Sequence, residues 1–428
     1  MNWRNVKLGE LLTESRIPCD NPNPDRRIKV RLKVLGVEKR GLENEIEGAT
    51  KQFIRKAGQF IYGKQNFHKG AFGIIPKELD GFESSADLPA FDVSKECLPE
   101  WLFYFFKCGN HYLELKKIAR GVATKRIHPE QIFDLEIPLP NLKTQKAILK
   151  NILSLEINGT EISDELTHQQ DLVKQLRQAF LREAMQGKLV KQEKHDGNAI
   201  ELLEKIKEDK ARNNKKVKPL PPIKEEEIPF AIPENWVWCR LGEICDTRLG
   251  KMLDAVKNKG ALHPYLRNLN VQWYDFNLDD VLKMRFEEDE LEEYSVKKND
   301  LLICEGGYPG RAAIWQSDDE SYKFQKALHR VRFYGGISSN FYLHYLDLIC
   351  SNRKIEEYFT GAGIQHLTGK SLKEMLIPLP PLPEQNRIVK KLEQLMQLCD
   401  ELQVSIQNSR QQNEMLMQQV LREALQKN

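Results

Sequence analysis

A phosphate-binding loop, a paired carboxylate and an activated histidine are the groupings from which chemistry is read first, and the chain offers candidates for each. Gly363-Ile364-Gln365-His366-Leu367-Thr368-Gly369-Lys370-Ser371 has the glycines and the Lys-Ser ending of a phosphate loop. Five residues stand between Gly363 and Gly369, one more than the loop allows if its backbone amides are to converge on a phosphate. Glu100, followed by Glu114-Leu115-Lys116, has the residue types of a metal-dependent nuclease, but the pattern falls largely on an aromatic helix and is short enough to arise by chance. Asn21-Pro22-Asn23-Pro24 lacks the adjacent prolines and the aromatic side chain with which an enzyme holds a flipped base. No glycine-rich loop for S-adenosylmethionine accompanies it, and neither His68 nor His128 has the partners of a catalytic triad. The cysteines (Cys19, Cys97, Cys108, Cys239, Cys245, Cys304, Cys350, Cys399) form no CxxC pair and no short Cys/His cluster, so neither zinc nor a disulfide framework is indicated. The expectation is a chain that is not an enzyme and binds no metal or cofactor of its own.

Binding chemistry is better represented. Lys39, Arg40, Lys64, His68, Lys69, Arg120, Lys125 and Arg126 in the first half, with Lys251, Arg267, Arg311, Lys326 and Arg330 in the second, suit contacts to phosphate. Gln65, Asn66, Asn268, Asn270, Gln272, Tyr308, Gln365 and His366 have the donors, acceptors and ring faces to read bases. The 428-residue chain carries 65 basic and 62 acidic residues, a net charge of +3, which does not identify a partner because a DNA binder can confine its positive charge to one face. By region the charge is uneven: residues 1–145 hold 24 basic against 19 acidic side chains, whereas residues 236–383 hold 19 against 21, six of the acids lying between Glu287 and Glu293. A hydrophobic fraction of 40% is enough to build cores and excludes a wholly disordered chain. No window approaches the roughly 18 apolar residues of a membrane helix, so a soluble, cytoplasmic protein is expected.

The elements that position these residues are written twice. Trp3-Arg4-Asn5-Val6-Lys7-Leu8-Gly9-Glu10 recurs as Trp236-Val237-Trp238-Cys239-Arg240-Leu241-Gly242-Glu243. Ile137-Pro138-Leu139-Pro140 with Gln145 and Ile148 recurs 240 residues on as Ile377-Pro378-Leu379-Pro380 with Gln385 and Ile388, and Leu181-Arg182-Glu183-Ala184 recurs as Leu421-Arg422-Glu423-Ala424 at the same offset. Between the first two markers the halves diverge, over residues 12–136 and 244–376, where short buried strands (Gln59-Phe60-Ile61-Tyr62; Asp300-Leu301-Leu302-Ile303) run into polar loops and aromatic helices follow (from Pro99 and from Asn340). Each region reads as an α+β domain.

After each IPLP marker a heptad pattern begins. Ile148, Ile152, Leu155, Ile162, Leu166, Val173, Leu176 and Phe180 fit one seam if Gly159 and Gln169 fill its gaps, and Ile388, Leu392, Leu395, Leu402, Ile406, Leu416 and Val420 continue the same phase. Two helices of matching phase and length, each roughly 60 Å long at 1.5 Å per residue, favour antiparallel pairing within the chain, with polar seam positions near mid-length. Residues 188–235 connect the halves through a charged helical run (Ile200 to Arg212) and a Lys/Glu/Pro stretch (Lys215 to Pro233) whose charges read as solvated.

The ordered set of markers, with the Gly121-to-Ile127 and Gly361-to-Leu367 spacings and the I-P-L-P-x-L-x-x-Q hinge, resembles the specificity (S) subunit of type I restriction-modification systems. The first hinge departs from the second in lacking its Pro-Pro and Glu384. The resemblance implies two α/β target recognition domains joined by two long antiparallel coiled-coil helices in a pseudo-twofold repeat. The expected boundaries are 1–141 and 236–383 for the domains, 142–188 and 384–428 for the helices, and 189–235 for the linker. It further implies a bipartite, asymmetric site on double-stranded DNA, two methylation (M) subunits that bind S-adenosylmethionine and methylate adenine at N6, and restriction (R) subunits using ATP and Mg. The other readings are a DNA-binding scaffold unconnected with methylation and a self-sufficient nuclease.

Overall fold

The repeated markers meet in space. In the computed structural model, strand Arg4–Lys7 pairs antiparallel with Glu136–Leu139, placing Val6 opposite Ile137. In the second half Val237–Arg240 pairs with Leu376–Leu379, placing Cys239 opposite Ile377. The structure describes residues 3–41, 51–108, 111–121, 125–213, 219–254 and 256–425. Its packing divides the chain into two units, residues 1–168 with 406–428, and residues 169–405.

Each unit contains a four-stranded antiparallel sheet of the same strand order. In the first it runs Leu12–Ser15, Ala90–Val93, Phe60–Tyr62, Phe72–Ile74; in the second Cys245–Leu249, Leu328–Phe333, Leu301–Cys304, Ala312–Ile314. The central strands read as unbroken apolar runs because both of their faces are covered. Phe60 and Tyr62 point into one core with Phe67, Phe72 and Trp101, while Ile61 points into another with Ile28, Ile75 and Leu79. Leu301 and Ile303 likewise share a core with Phe341 and Tyr342, and Leu302 and Cys304 point to Trp315 and Phe324. The second unit adds a three-stranded sheet, Leu282–Phe286, Ala261–Leu266 and Lys323–Phe324.

The aromatic helices lie at Pro99–Lys107 and Ser339–Ser351. Each is fastened to the hinge strand through the same carbonyl: Trp101 Nε1 donates to Pro138 O at 3.0 Å, and Tyr342 OH donates to Pro378 O at 3.1 Å. The hinge glutamine completes the joint. Gln145, fully buried, donates to Pro140 O at 2.8 Å and accepts from the N-cap residue Leu98 N at 2.8 Å. Gln385 repeats this with Pro380 O at 2.8 Å and Ser338 N at 3.0 Å. One buried amide per unit thus ties hinge, long helix and aromatic helix together, satisfying groups that would be costly to leave unpaired.

Two 44-residue helices, Leu142–Met185 and Leu382–Leu425, carry the heptads. In the first unit they run antiparallel: Asn413 Nδ2 donates to Gly159 O at 3.0 Å and Arg410 Nη2 to Thr167 Oγ1 at 2.9 Å. In the second unit Arg177 pairs with Asp400, and Leu181, Ala184 and Met185 pack with Ile388, Val389 and Leu392. The expected seam is half right. Ile152, Leu166, Ile388, Leu392 and Ile406 are buried, and Ile148, Leu155, Phe180, Leu395 and Val420 are partly so. Ile162 (48% exposed), Leu176 (36%), Leu402 (41%) and Leu416 (59%) lie outside it, although they share the heptad position of the packed Ile148 and Ile388 two and four heptads before them. Elsewhere on these helices Glu156 bonds to Tyr104 OH (2.6 Å) and Lys107 Nζ (2.5 Å) of the aromatic helix, Arg177 pairs with Asp400, and Met417 lies beside Gly159.

The connecting segment is not simply solvated. Helix Ala199–Asn213 buries Ala199, Leu203 and Ile206 against the second unit, and Lys210 Nζ donates to Gly242 O at 2.5 Å. Buried Arg240 donates to Pro221 O and Pro222 O and pairs with Glu227 at 2.8 Å. Residues 214–218, part of the Lys/Glu/Pro stretch, lie outside the described residues.

Candidate nucleic-acid interface

The end of each central strand is held by matching backbone bonds. In the first unit Lys64 N donates to Asp87 O at 2.9 Å and Lys64 O accepts from Ile127 N at 2.8 Å. In the second, Glu305 N donates to Ala327 O at 2.9 Å and Glu305 O accepts from Leu367 N at 2.8 Å. Beside them, Arg120 and Arg126 exchange backbone bonds of 2.8 and 2.7 Å, and Thr360 and His366 exchange two of 2.9 Å. The spaced glycine and aliphatic residue of the sequence explain these hairpins. Gly121 (φ 124°) and Gly361 (φ 103°) adopt a backbone that L side chains avoid, while Ile127 and Leu367 anchor the exits in the core. The carbonyl of each anchor is held from below, Ile127 O by Tyr62 OH at 3.1 Å and Leu367 O by His329 Nε2 at 2.7 Å. Residues 122–124 lie outside the described residues.

The first cluster is basic. The loop after Tyr62 folds through a single turn of helix at Phe67–Lys69, seated by the buried Phe67 ring 4.5 Å from Tyr62. It presents partly exposed Lys64, Asn66 and His68 and exposed Lys69 beside exposed Arg120 and Lys125. Burial, together with Lys69, Lys116 and Lys125, holds the His68 imidazole below its ordinary value, and His68 Nδ1 has no hydrogen-bond partner among the described residues. Arg126 reaches Asp87 at 3.5 Å. Lys116, met in the sequence only as the lysine of the nuclease-like pattern, joins the group through the fold. Lys39, within 4.0 Å of Asp25, and Arg40 belong instead to the small sheet formed by Ile28–Val30 and Val37–Lys39.

The second cluster is mixed in sign. Asn268 Nδ2 donates to Gly306 O at 3.2 Å, and Arg311 donates to Asn268 O at 2.7 Å with its guanidinium 4.4 Å from the Tyr308 ring. Tyr308 itself is 62% exposed, and Gln365 and Lys326 are exposed around the same loop. His366 Nδ1 stands 3.6 Å from the Glu305 carboxylate. Several residues expected at the surface are tied inward. Lys251 is buried between Glu287 and Glu290, whose pairing raises its pKa despite burial. Arg267 pairs with Asp280 at 2.7 Å, and Arg330 is buried against Asp246 at 3.0 Å. Asn270, buried, donates to Asn277 O and Asp280 O, and Gln272 donates to Leu269 O. Residue type alone does not separate a loop-building amide from a free one. The acidic run Glu287 to Glu293 is correspondingly no bare patch, since Glu292 pairs with Lys297 and Glu293 with Arg248.

The family model for the type I restriction modification DNA specificity domain matches residues 1–169 and 233–409. The chain belongs to this family. Its two matches coincide with the two written halves. Among its relatives, the type I restriction enzyme EcoAI specificity subunit of Escherichia coli is 32% identical over 277 residues, covering 61% of this chain and 47% of that protein. The EcoKI specificity subunit of Escherichia coli K12 is 23% identical over 340 residues, covering 76% and 64%. The chain thus spans about half the length of the EcoAI and EcoEI subunits it matches, 47% of each. The fold is shared with the HsdS subunit from Thermoanaerobacter tengcongensis (TM-score 0.61, 18% identity, 99% of this chain and 96% of that one). It is also shared with a chain from a structure addressing complex assembly and conformational transition of the type I R-M system (TM-score 0.66, 18% identity, 99% and 98%). The two loop clusters fall one in each matched stretch.

Among the described residues no helix is long and apolar enough to cross a membrane.

Proposed function

We propose that the chain is the DNA-reading specificity subunit of a type I restriction-modification complex. Its domains read the unlike halves of an asymmetric, bipartite site on double-stranded DNA, and partner subunits carry out adenine-N6 methylation or restriction. The observation that carries the reading is the pair of loop clusters at Lys64 and Glu305, which share a backbone frame and differ in the side chains set on it. A repeated frame with exchanged side chains suits a protein that must recognise two sequences with one architecture, because positioning and reading are then separable. The chain itself is non-catalytic; S-adenosylmethionine, ATP and Mg are bound by its partners, and the complex acts in the cytoplasm. Two methylation subunits dock on the long helices, a role supported by the exposed apolar side chains of Ile162, Leu176, Leu402 and Leu416 left outside the seam. Restriction subunits join that complex.

Methylome sequencing of the host with and without this gene tests the proposal. The expected result is loss of one asymmetric bipartite adenine motif. A contiguous palindrome lost in its place contradicts the two-domain reading, and an unchanged methylome alongside retained DNA binding assigns the chain to the scaffold class.

A further inference from the structure

Lys64 and Glu305 occupy one structural position and carry opposite charge. Lys64 lies two residues beyond the strand that ends at Tyr62 and Glu305 one beyond the strand that ends at Cys304, and each is pinned on both sides by the same backbone bonds. Lys64 forms no ion pair among the described residues. The Glu305 side chain is 17% exposed, and the one basic side chain within 4.0 Å of it among those residues is His366, whose Nδ1 is beyond hydrogen-bond range at 3.6 Å and has no other partner. The neighbouring positions change in step: Asp87 and Arg126 beside Lys64 become Ala327 and His366 beside Glu305.

A carboxylate on a DNA-facing surface is repelled by phosphate, so electrostatic grip does not account for it. It can accept a hydrogen bond from an exocyclic amino group on a base edge, which the major groove offers at cytosine N4 and adenine N6. An ammonium in the same place finds its partners in guanine O6 and N7. We propose that Lys64 and Glu305 are equivalent specificity-determining residues reading major-groove groups of opposite polarity, Lys64 the acceptors of a guanine in one half-site and Glu305 the donor of an amino-bearing base in the other. Exposed Lys326, Gln365 and Tyr308 around Glu305 supply the backbone and stacking contacts that bring its carboxylate to a base edge. This inference rests on the DNA-binding reading of both clusters.

The test is selection of bound duplexes from a random library by the full-length chain as it purifies, followed by sequencing. Wild type is expected to demand guanine at one position of one half-site and cytosine or adenine at one position of the other. E305K is expected to convert that second position toward guanine and leave the other half-site unchanged, with K64E giving the mirror result. E305A is expected to relax the position by about 10- to 100-fold, which decides the matter if E305K does not fold. E305Q separates the sources, since an amide favours adenine: an unchanged base means adenine in wild type, a change to adenine means cytosine. Unaltered motifs in E305A and K64A that still bind overturn the assignment. Failure of wild type to select any sequence instead overturns the DNA-reading function, a distinguishable result.

Discussion

In the first half of the chain the strand end carries Lys64, Asp87, Lys125 and Arg126; in the second the corresponding places carry Glu305, Ala327, Gln365 and His366. The surroundings differ as much. The first loop is seated by a phenylalanine under a one-turn helix, the second by an arginine clasped between a tyrosine ring and a carbonyl. Yet the sheet order, the hairpin pairing and the hinge glutamine are common to both. Backbone bonds and a few buried anchors therefore set the geometry, and exposed side chains vary without disturbing it.

The largest expected effects fall on the common frame. Gln145→Ala and Gln385→Ala each strand a helix N-cap amide and a prolyl carbonyl inside the protein, and each is expected to cost about 2–4 kcal/mol in denaturant unfolding. A cost confined to one of them breaks the equivalence of the halves. The next prediction separates them by pH. Burial pushes the His344 pKa down to about 4, while the place 240 residues earlier holds Tyr104, which does not titrate in that range. A histidine kept neutral in the fold contributes stability that is complete above its unfolded value near 6.5 and is lost as pH falls toward 4. Melting curves from pH 7.5 to 4.5 are therefore expected to show a loss of up to about 3 kcal/mol that His344→Phe flattens. An equal slope in that variant removes His344 from the account.

Smaller effects are expected at the surface. Alanine at Lys69, Lys116 or Lys125 is expected to lower the slope of log affinity against log salt by about 0.9 for each phosphate that is no longer neutralised. In the second domain Lys326 is the comparable exposed site, so the summed change there is smaller. Glutamate at Ile162, Leu176, Leu402 or Leu416 is expected to alter stability by less than about 0.5 kcal/mol while abolishing co-purification of a methyltransferase subunit. Aspartate at Leu392 or Ile406, within the seam, unfolds the helix pair instead, and circular dichroism distinguishes the two outcomes.

Much of the frame was legible because repetition is visible without structure. Trp3 to Glu10, the IPLP strands and the LREA segments announced two halves in order. That the first marker pairs with the second as a two-stranded sheet was not legible, since pairing across some 130 residues leaves no local mark. The heptad count located Ile152, Leu166 and Ile406 correctly and also took in the exposed Ile162 and Leu402, because they share the heptad position of the packed Ile148 and Ile388 and the spacing alone does not separate them. At the candidate interface, Lys251 and Asn270 looked like free recognition groups, and only the fold shows that each is bound inward. Gln145 was visible as part of a motif, and its distance of five residues from Pro140, repeated between Gln385 and Pro380, was the available signal of its joint role.

The central claim, that one frame carries two independent readers, is tested most directly by a chimera in which residues 12–136 replace residues 244–376. Its methylated motif in the host is expected to become symmetric, two inverted copies of one wild-type half. Retention of the wild-type asymmetric motif, or methylation at a single contiguous site, contradicts the account.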